Sequence, residues 1–130
     1  MNIPLLCLPI AYALVFAPKV PLSMAMAKQP EGYDNKTPRD QQAKLEGWGR
    51  RAAAAHANAF ESFAPFAAGV LASTVGGGDA KWAAILAIAH VVSRTIYPVL
   101  YIANIDKARS TVWGVGMLAS FGLMILPLMK

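Results

Sequence analysis

Ser110-Thr-Val-Trp-Gly-Val-Gly-Met-Leu-Ala-Ser-Phe-Gly-Leu-Met-Ile-Leu-Pro-Leu-Met129 runs for twenty residues without a single charged side chain. As a helix it is about 30 Å long, the thickness of the hydrocarbon layer of a bilayer. Three more apolar stretches precede it. Residues 80–103 form the nearest. Residues 51–74 are Ala-rich, and residues 3–27 are interrupted by Pro4, Pro9, Pro18 and Pro21 and carry Lys19. Lipid offers no partner to backbone N–H and C=O groups, so runs of this length are read as helices. The expected fold is an all-α integral membrane protein: a bundle of four transmembrane helices in one domain covering residues 1–130.

Composition agrees. Of 130 residues, 56% are apolar, 15% are charged, and the mean hydropathy is +0.42. A soluble domain carries about 25% charged residues, so this chain is neither disordered nor an ordinary soluble globule. Its net charge of +5 does not indicate a nucleic-acid binder, because most of the charges stand at the ends of the apolar runs. Cys7 is the lone cysteine, which excludes an internal disulfide framework and a thiolate zinc cluster. His56 and His90 lack an evident carboxylate partner set, so no metal site is expected. Ala25-Met26-Ala27 resembles a signal-peptidase site. No Lys or Arg precedes the first apolar run, however, and that run is therefore retained as a helix.

The connections set the orientation. Residues 28–51 carry Lys28, Lys36, Arg39, Lys44, Arg50 and Arg51, with turn signals at 30–32 and 35–38 and a short helix expected between Arg39 and Arg50. Gly76-Gly77-Gly78-Asp79 reads as a tight turn, and residues 104–109 link the last two spans. With four spans, residues 28–51 and 104–109 share one side and together hold eight Lys/Arg, against Lys81 and Lys130 on the other. The positive-inside rule places the two loops in the cytoplasm and both termini outside.

Polar residues inside the spans are costly and need a purpose. Arg51, Asn58 and Glu61 stand at i, i+7 and i+10, on one stripe of a helix. His90, Arg94, Tyr97 and Tyr101 stand at i, i+4, i+7 and i+11, and Asn104 continues the line. Such stripes face another helix or a wet pocket. One reading is an interhelical clamp between Glu61 and Arg94. Pairing alone does not account for Tyr97, Tyr101, Asn58 and His56 beside it, and the second reading is a ligand pocket. Arg51 reads either as an interfacial anchor or as a ligand group. Arg109 reads as a topology-setting loop charge or as a ligand group. Pro65 and Pro98 each lie four residues after a buried charge, Glu61 and Arg94, and release the carbonyl of that residue from its helical bond.

Arg51-Ala-Ala-Ala-Ala-His-Ala-Asn-Ala-Phe-Glu61 resembles the second-helix signature of the MAPEG superfamily, the membrane-associated proteins in eicosanoid and glutathione metabolism. Arg94-Thr-Ile-Tyr-Pro-Val-Leu-Tyr101, followed by Arg109, resembles its third-helix signature, and the likeness extends over nearly the whole chain. The resemblance implies a homotrimer of left-handed four-helix bundles that binds glutathione between neighbouring subunits near the cytoplasmic boundary. It implies that Arg51, Asn58 and Glu61 hold glutathione and that Arg94 and Tyr97 line the pocket. Arg109, with Tyr101 as an alternative donor, would then stabilise the thiolate in the catalytic role, and Lys28 is a weaker match to a basic residue lent by the neighbour. It also implies a transferase or peroxidase acting on lipophilic electrophiles, with glutathione as co-substrate. Glutathione's carboxylates suit arginines and its ammonium suits Glu61. Its thiol, titrating near about 8.5, needs a nearby cation to ionise at neutral pH.

The sequence departs from the family pattern at Ala54 and Ala55, where several enzymes carry an arginine, and at Ser62, where an aromatic is common. These departures bring it nearer to short bacterial members, which implies the inner membrane, and they favour a non-catalytic structural role as one alternative. A small multidrug-type transporter subunit is another, but its essential carboxylate belongs in the first span, which has none here.

Overall fold

The computed structural model describes residues 1–129; Lys130, counted above on the sparsely charged side, lies outside the described residues. The described chain is helical throughout its ordered elements: α1 (Ile3–Val15), α2 (Lys19–Ala27), α3 (Pro38–Lys44), α4 (Gly47–Val75), α5 (Ala80–Ile102) and α6 (Asp106–Ile125), followed by a short 3₁₀ turn at Leu126–Leu128.

Three stretches are long and apolar enough to cross a membrane: Ile3–Ala27, Ala80–Ile102 and Asp106–Leu128. The expected second span differs. α4 is 29 residues long, ample for a crossing, yet it falls short in hydropathy because Asn58, Glu61 and Ser62 interrupt its apolar run. Its Ala-rich first half is a strong helix former and extends the helix upstream to Gly47, four residues before the expected start. α6 likewise begins at Asp106 rather than Ser110. The short helix expected over 39–50 is shorter, ending at Lys44, because Leu45 is extended before α4 begins.

The first apolar run is broken between Val15 and Lys19. Pro18 has no N–H, and the Lys19 N–H bonds Phe16 O at 3.0 Å, one residue short of the helical partner Val15. The freed Val15 carbonyl accepts a hydrogen bond from His56 Nδ1 on α4 at 2.9 Å. His56 is thus a helix-break cap that fixes α1–α2 against α4.

Helices α4, α5 and α6 pack on one another, and α1 packs on α4 and α5. One buried cluster gathers Cys7, Ala11, Phe66, Val70, Ala87 and Leu123; a second, nearer the polar loop, gathers Leu22, Met26, Leu45 and Ala52. The glycine-rich turn forms as expected, with Gly76 ending α4 and Asp79 accepting the Trp82 N–H at 2.9 Å to start α5.

His90 is the part of the polar stripe that faces other helices, in the core. Its ring stacks on Phe66 with centroids 3.9 Å apart, and Nδ1 donates toward Gly116 O and Ser120 Oγ at 3.2 and 3.0 Å. The imidazole, hydrogen-bonded to α6, joins helices beside Arg94, Tyr97 and Tyr101.

The polar loop folds on itself. Gln41, buried, donates to Gly32 O at 2.7 Å and accepts the Asp34 N–H at 2.9 Å. Asp34 accepts from the Thr37 and Lys36 N–H groups and from the Thr37 hydroxyl. Those bonds, the Thr37 N–H first, hold its carboxyl below the ordinary aspartate range. A depressed folded pKa means the loop stabilisation is complete above the unfolded value of about 3.9 and is lost as pH falls through the lower folded value. NMR titration of the Asp34 carboxyl carbon should therefore give a midpoint below that of free aspartate. Thr37→Val should raise it, and an unshifted midpoint in the unsubstituted protein would refute the loop geometry.

Candidate functional site

The loop-bearing end of the helices gathers the charged and aromatic side chains. α4 carries Asn58 and Glu61 on adjacent turns, and α5 brings Arg94 opposite them. Arg94, only 7% exposed, donates from Nη2 to Asn58 Oδ1 at 3.0 Å. Asn58 in turn donates from Nδ2 to Glu61 Oε2 at 3.2 Å. The expected Glu61–Arg94 clamp is thus a relay: among the described residues no direct ion pair joins the two. Glu61 is exposed, and Asn58, half-buried, bridges the two charges.

Above this relay the cations and rings alternate. The Arg94 guanidinium lies 4.2 Å from the centre of the Tyr97 ring, and Tyr97 meets Tyr101 edge-on at 5.7 Å. Arg109, at the start of α6, lies 4.3 Å over Tyr101. Each such stack contributes about 0.5–2 kcal/mol, more where water is excluded. The i, i+3, i+7 spacing of Arg94, Tyr97 and Tyr101 predisposes this ladder, and the turn at 103–105 folds Arg109 back onto it.

That turn explains Asn104, which does not continue the polar stripe. It adopts a left-handed conformation, φ 62°, just past α5. The Ile105 N–H bonds Leu100 O and the Asn104 N–H bonds Tyr101 O, the bonding pattern of a helix C-terminal cap. Arg51 seals the same end by donating from Nε to Ile102 O at 2.9 Å. Along α4, Arg51 and Glu61 are about 15 Å apart, so the arginine works at the helix end and the carboxylate lies well below it. Lys28 has its Nζ 5.4 Å over the Trp48 ring, at the junction of α2 and α4.

Two cavities lie on either side of Trp113. A small one of about 220 Å³ is lined by Tyr97, Tyr101, Arg109, Ser110 and Trp113. A second, of about 340 Å³, opens between α4 and α6 and is bordered by Asn58, Glu61, Ser62, Trp113, Met117 and Phe121. Trp113 lines both. The sequence reading passed over it, although its position one helical turn after Arg109 was a usable signal. Polar donors at one end and an apolar channel at the other suit an anionic or thiol-bearing group beside a lipophilic one.

The fold and this site define an integral membrane protein of apolar helices with a charged, aromatic-lined site at one end. The MAPEG family model matches residues 3–129, and the chain belongs to that family. Comparison with curated proteins and with solved structures found no match.

Proposed function

We propose that the protein is a glutathione-dependent transferase or peroxidase acting on lipophilic electrophiles. In this reading it is a bundle of four spans, assembled as a homotrimer, with residues 28–50 and 104–109 on the cytoplasmic side of the inner membrane and the termini outside. The observation that carries the reading is that Trp113 lines both a cavity bearing Arg109 and Tyr101 and an apolar groove bearing Glu61.

The thiol of glutathione sits beside Arg109, whose positive charge favours the thiolate. Glu61 takes the ammonium, Arg51 a carboxylate, and Asn58, Arg94 and Tyr97 shape the pocket. The electrophile enters from the bilayer along the groove, and proximity to the thiolate provides much of the acceleration. In the transfer the thiolate sulfur bonds the electrophilic carbon and displaces its leaving group as an anion, giving a thioether. A hydroperoxide instead passes its terminal oxygen to the sulfur, leaving an alcohol and a sulfenic acid, which a second glutathione converts to the disulfide with loss of water. The oligomer is supported by Glu61 itself, an exposed carboxylate on a helix long enough to cross the bilayer, which a neighbouring chain would shield from lipid.

Calorimetric titration of glutathione into detergent-purified protein tests this. Saturable binding with proton release is expected. Glu61→Gln should weaken it about tenfold, the worth of one charge-assisted hydrogen bond, and Arg109→Ala should abolish the proton release. No heat up to millimolar glutathione overturns the transferase and favours the non-catalytic membrane role to which Ala54, Ala55 and Ser62 point.

A further inference from the structure

His90 and Arg94 stand one turn apart on α5 and are only 1% and 7% exposed. Each keeps nitrogen atoms without a hydrogen-bond partner among the described residues. Nδ1 of His90 bonds Gly116 O, which can only accept, so Nδ1 carries the proton. Nε2 of an uncharged ring is then an acceptor, and no described group donates to it. A guanidinium has several N–H donors, and Arg94 uses one of them, on Nη2, toward Asn58.

Both residues border one cavity of about 10 Å³, walled by α1, α4 and α5. The small side chains of Ala55 and Ala59 leave room for it, and Ser62, whose hydroxyl makes no described hydrogen bond, lines it from α4. Among the residues lining it none belongs to α6, the helix to which Nδ1 points. The two nitrogens sit on opposite edges of the imidazole, so Nε2 turns toward the cavity. No fully enclosed side-chain nitrogen or oxygen among the described residues lacks a partner. Nε2 therefore borders open space and not packed carbon.

Size and chemistry together select the occupant. A single water needs about 10–15 Å³, and nothing larger fits. The occupant must donate to Nε2 and accept from Arg94. An anion accepts from the guanidinium and cannot donate to the ring, while a metal cation is repelled by the guanidinium. Water does both. Ser62 Oγ adds a further partner, and a buried water typically has about three.

We propose that this cavity is a one-water binding site, in which the water donates to His90 Nε2, accepts from Arg94 and meets Ser62 Oγ. The water joins α6, through His90, to the guanidinium that holds Asn58 and Glu61. It also keeps that charge hydrated within the span, where an unsolvated cation is costly. The site depends on the packing of α1, α4 and α5 and stands whether or not glutathione binds.

Solid-state NMR of the protein in liposomes tests the site, using isotope-labelled histidine and magnetisation that starts on water protons. The expected His90 ring, assigned through the α5 backbone, has a protonated Nδ1 and a lone-pair Nε2 that receives magnetisation from water. Ala59→Leu fills the cavity and should remove that transfer while the Nδ1 bond to Gly116 persists; Ala59→Val serves if leucine prevents folding. Ser62→Ala keeps the cavity and should shift the Nε2 resonance. Absence of transfer to Nε2 in the unsubstituted protein, or transfer undiminished once the cavity is filled, overturns the site. A ring protonated on both nitrogens, with resonances that follow the chloride content of the buffer, overturns the water in favour of an anion.

Discussion

Arg94→Met is expected to destabilise the protein by about 3 kcal/mol, the range for removing one partner of a buried charged hydrogen bond. The substitution keeps the apolar stem and removes the guanidinium, so part of the loss is the space the guanidinium leaves. It removes the Nη2 bond to Asn58 and the stack over Tyr97. It also leaves Asn58 Oδ1 without its donor, and deprives Glu61 of the cation to which Asn58 links it. Arg94→Lys should recover only part, because an ammonium lacks the planar face for Tyr97 and the fixed fork for Asn58. Thermal unfolding in detergent, run as a cycle with Asn58→Leu, measures this directly. A coupling of about 1.5 kcal/mol or more is expected, since residues in one hydrogen-bonded network are not additive. Strictly additive losses would show that the relay does not hold α4 to α5.

Gly69→Leu is expected to prevent folding, and Gly69→Ala to cost about 1–3 kcal/mol, the usual penalty for overpacking. A Cβ at Gly69 would stand 2.7 Å from the backbone carbonyl of Ser120 and 2.9 Å from Leu123 Cβ. A backbone atom cannot turn aside, so α6 as a whole must withdraw from α4. Gly116→Ala should be costly for a related reason, because its Cβ would collide with Ser93 Oγ, which is held by its own bond to His90 O. Gly114 provides the control on the same helix: nothing lies within 4 Å of its added Cβ. Gly114→Ala should leave stability unchanged or raise it by up to about 1 kcal/mol through helix propensity. Equal transition temperatures for all three alanine variants would mean that α6 does not approach α4 and α5 as closely as described.

Both predictions turn on side chains whose type was evident in the sequence and whose partners were not. Glu61 and Arg94 stood out as charges within apolar runs. Their separation by Asn58 depends on how far apart α4 and α5 lie and on which turn of each is level. The same holds for His90. It shares the helical spacing of Arg94 and Tyr97, but an imidazole on that line meets Phe66 and Ser120 only because α4 and α6 converge there. His56 looked like part of a polar cluster and instead caps Val15, since the break at Pro18 leaves a carbonyl that no local donor reaches. Asn104 looked like one more polar residue on a stripe and is the left-handed residue that ends α5.

What the sequence determined by itself was the class of protein. Uninterrupted apolar length dictates helices in a bilayer because the backbone has no other hydrogen-bonding partner there. Family membership was equally legible, because the motifs Arg51–Glu61 and Arg94–Tyr101 are local patterns that need no tertiary information. The tertiary structure decided which charges meet, through which intermediary, and where the helices approach at Gly69 and Gly116. Those outcomes depend on distances of a few ångströms between segments far apart in the chain, and periodicity along one helix specifies a face without specifying what stands opposite it.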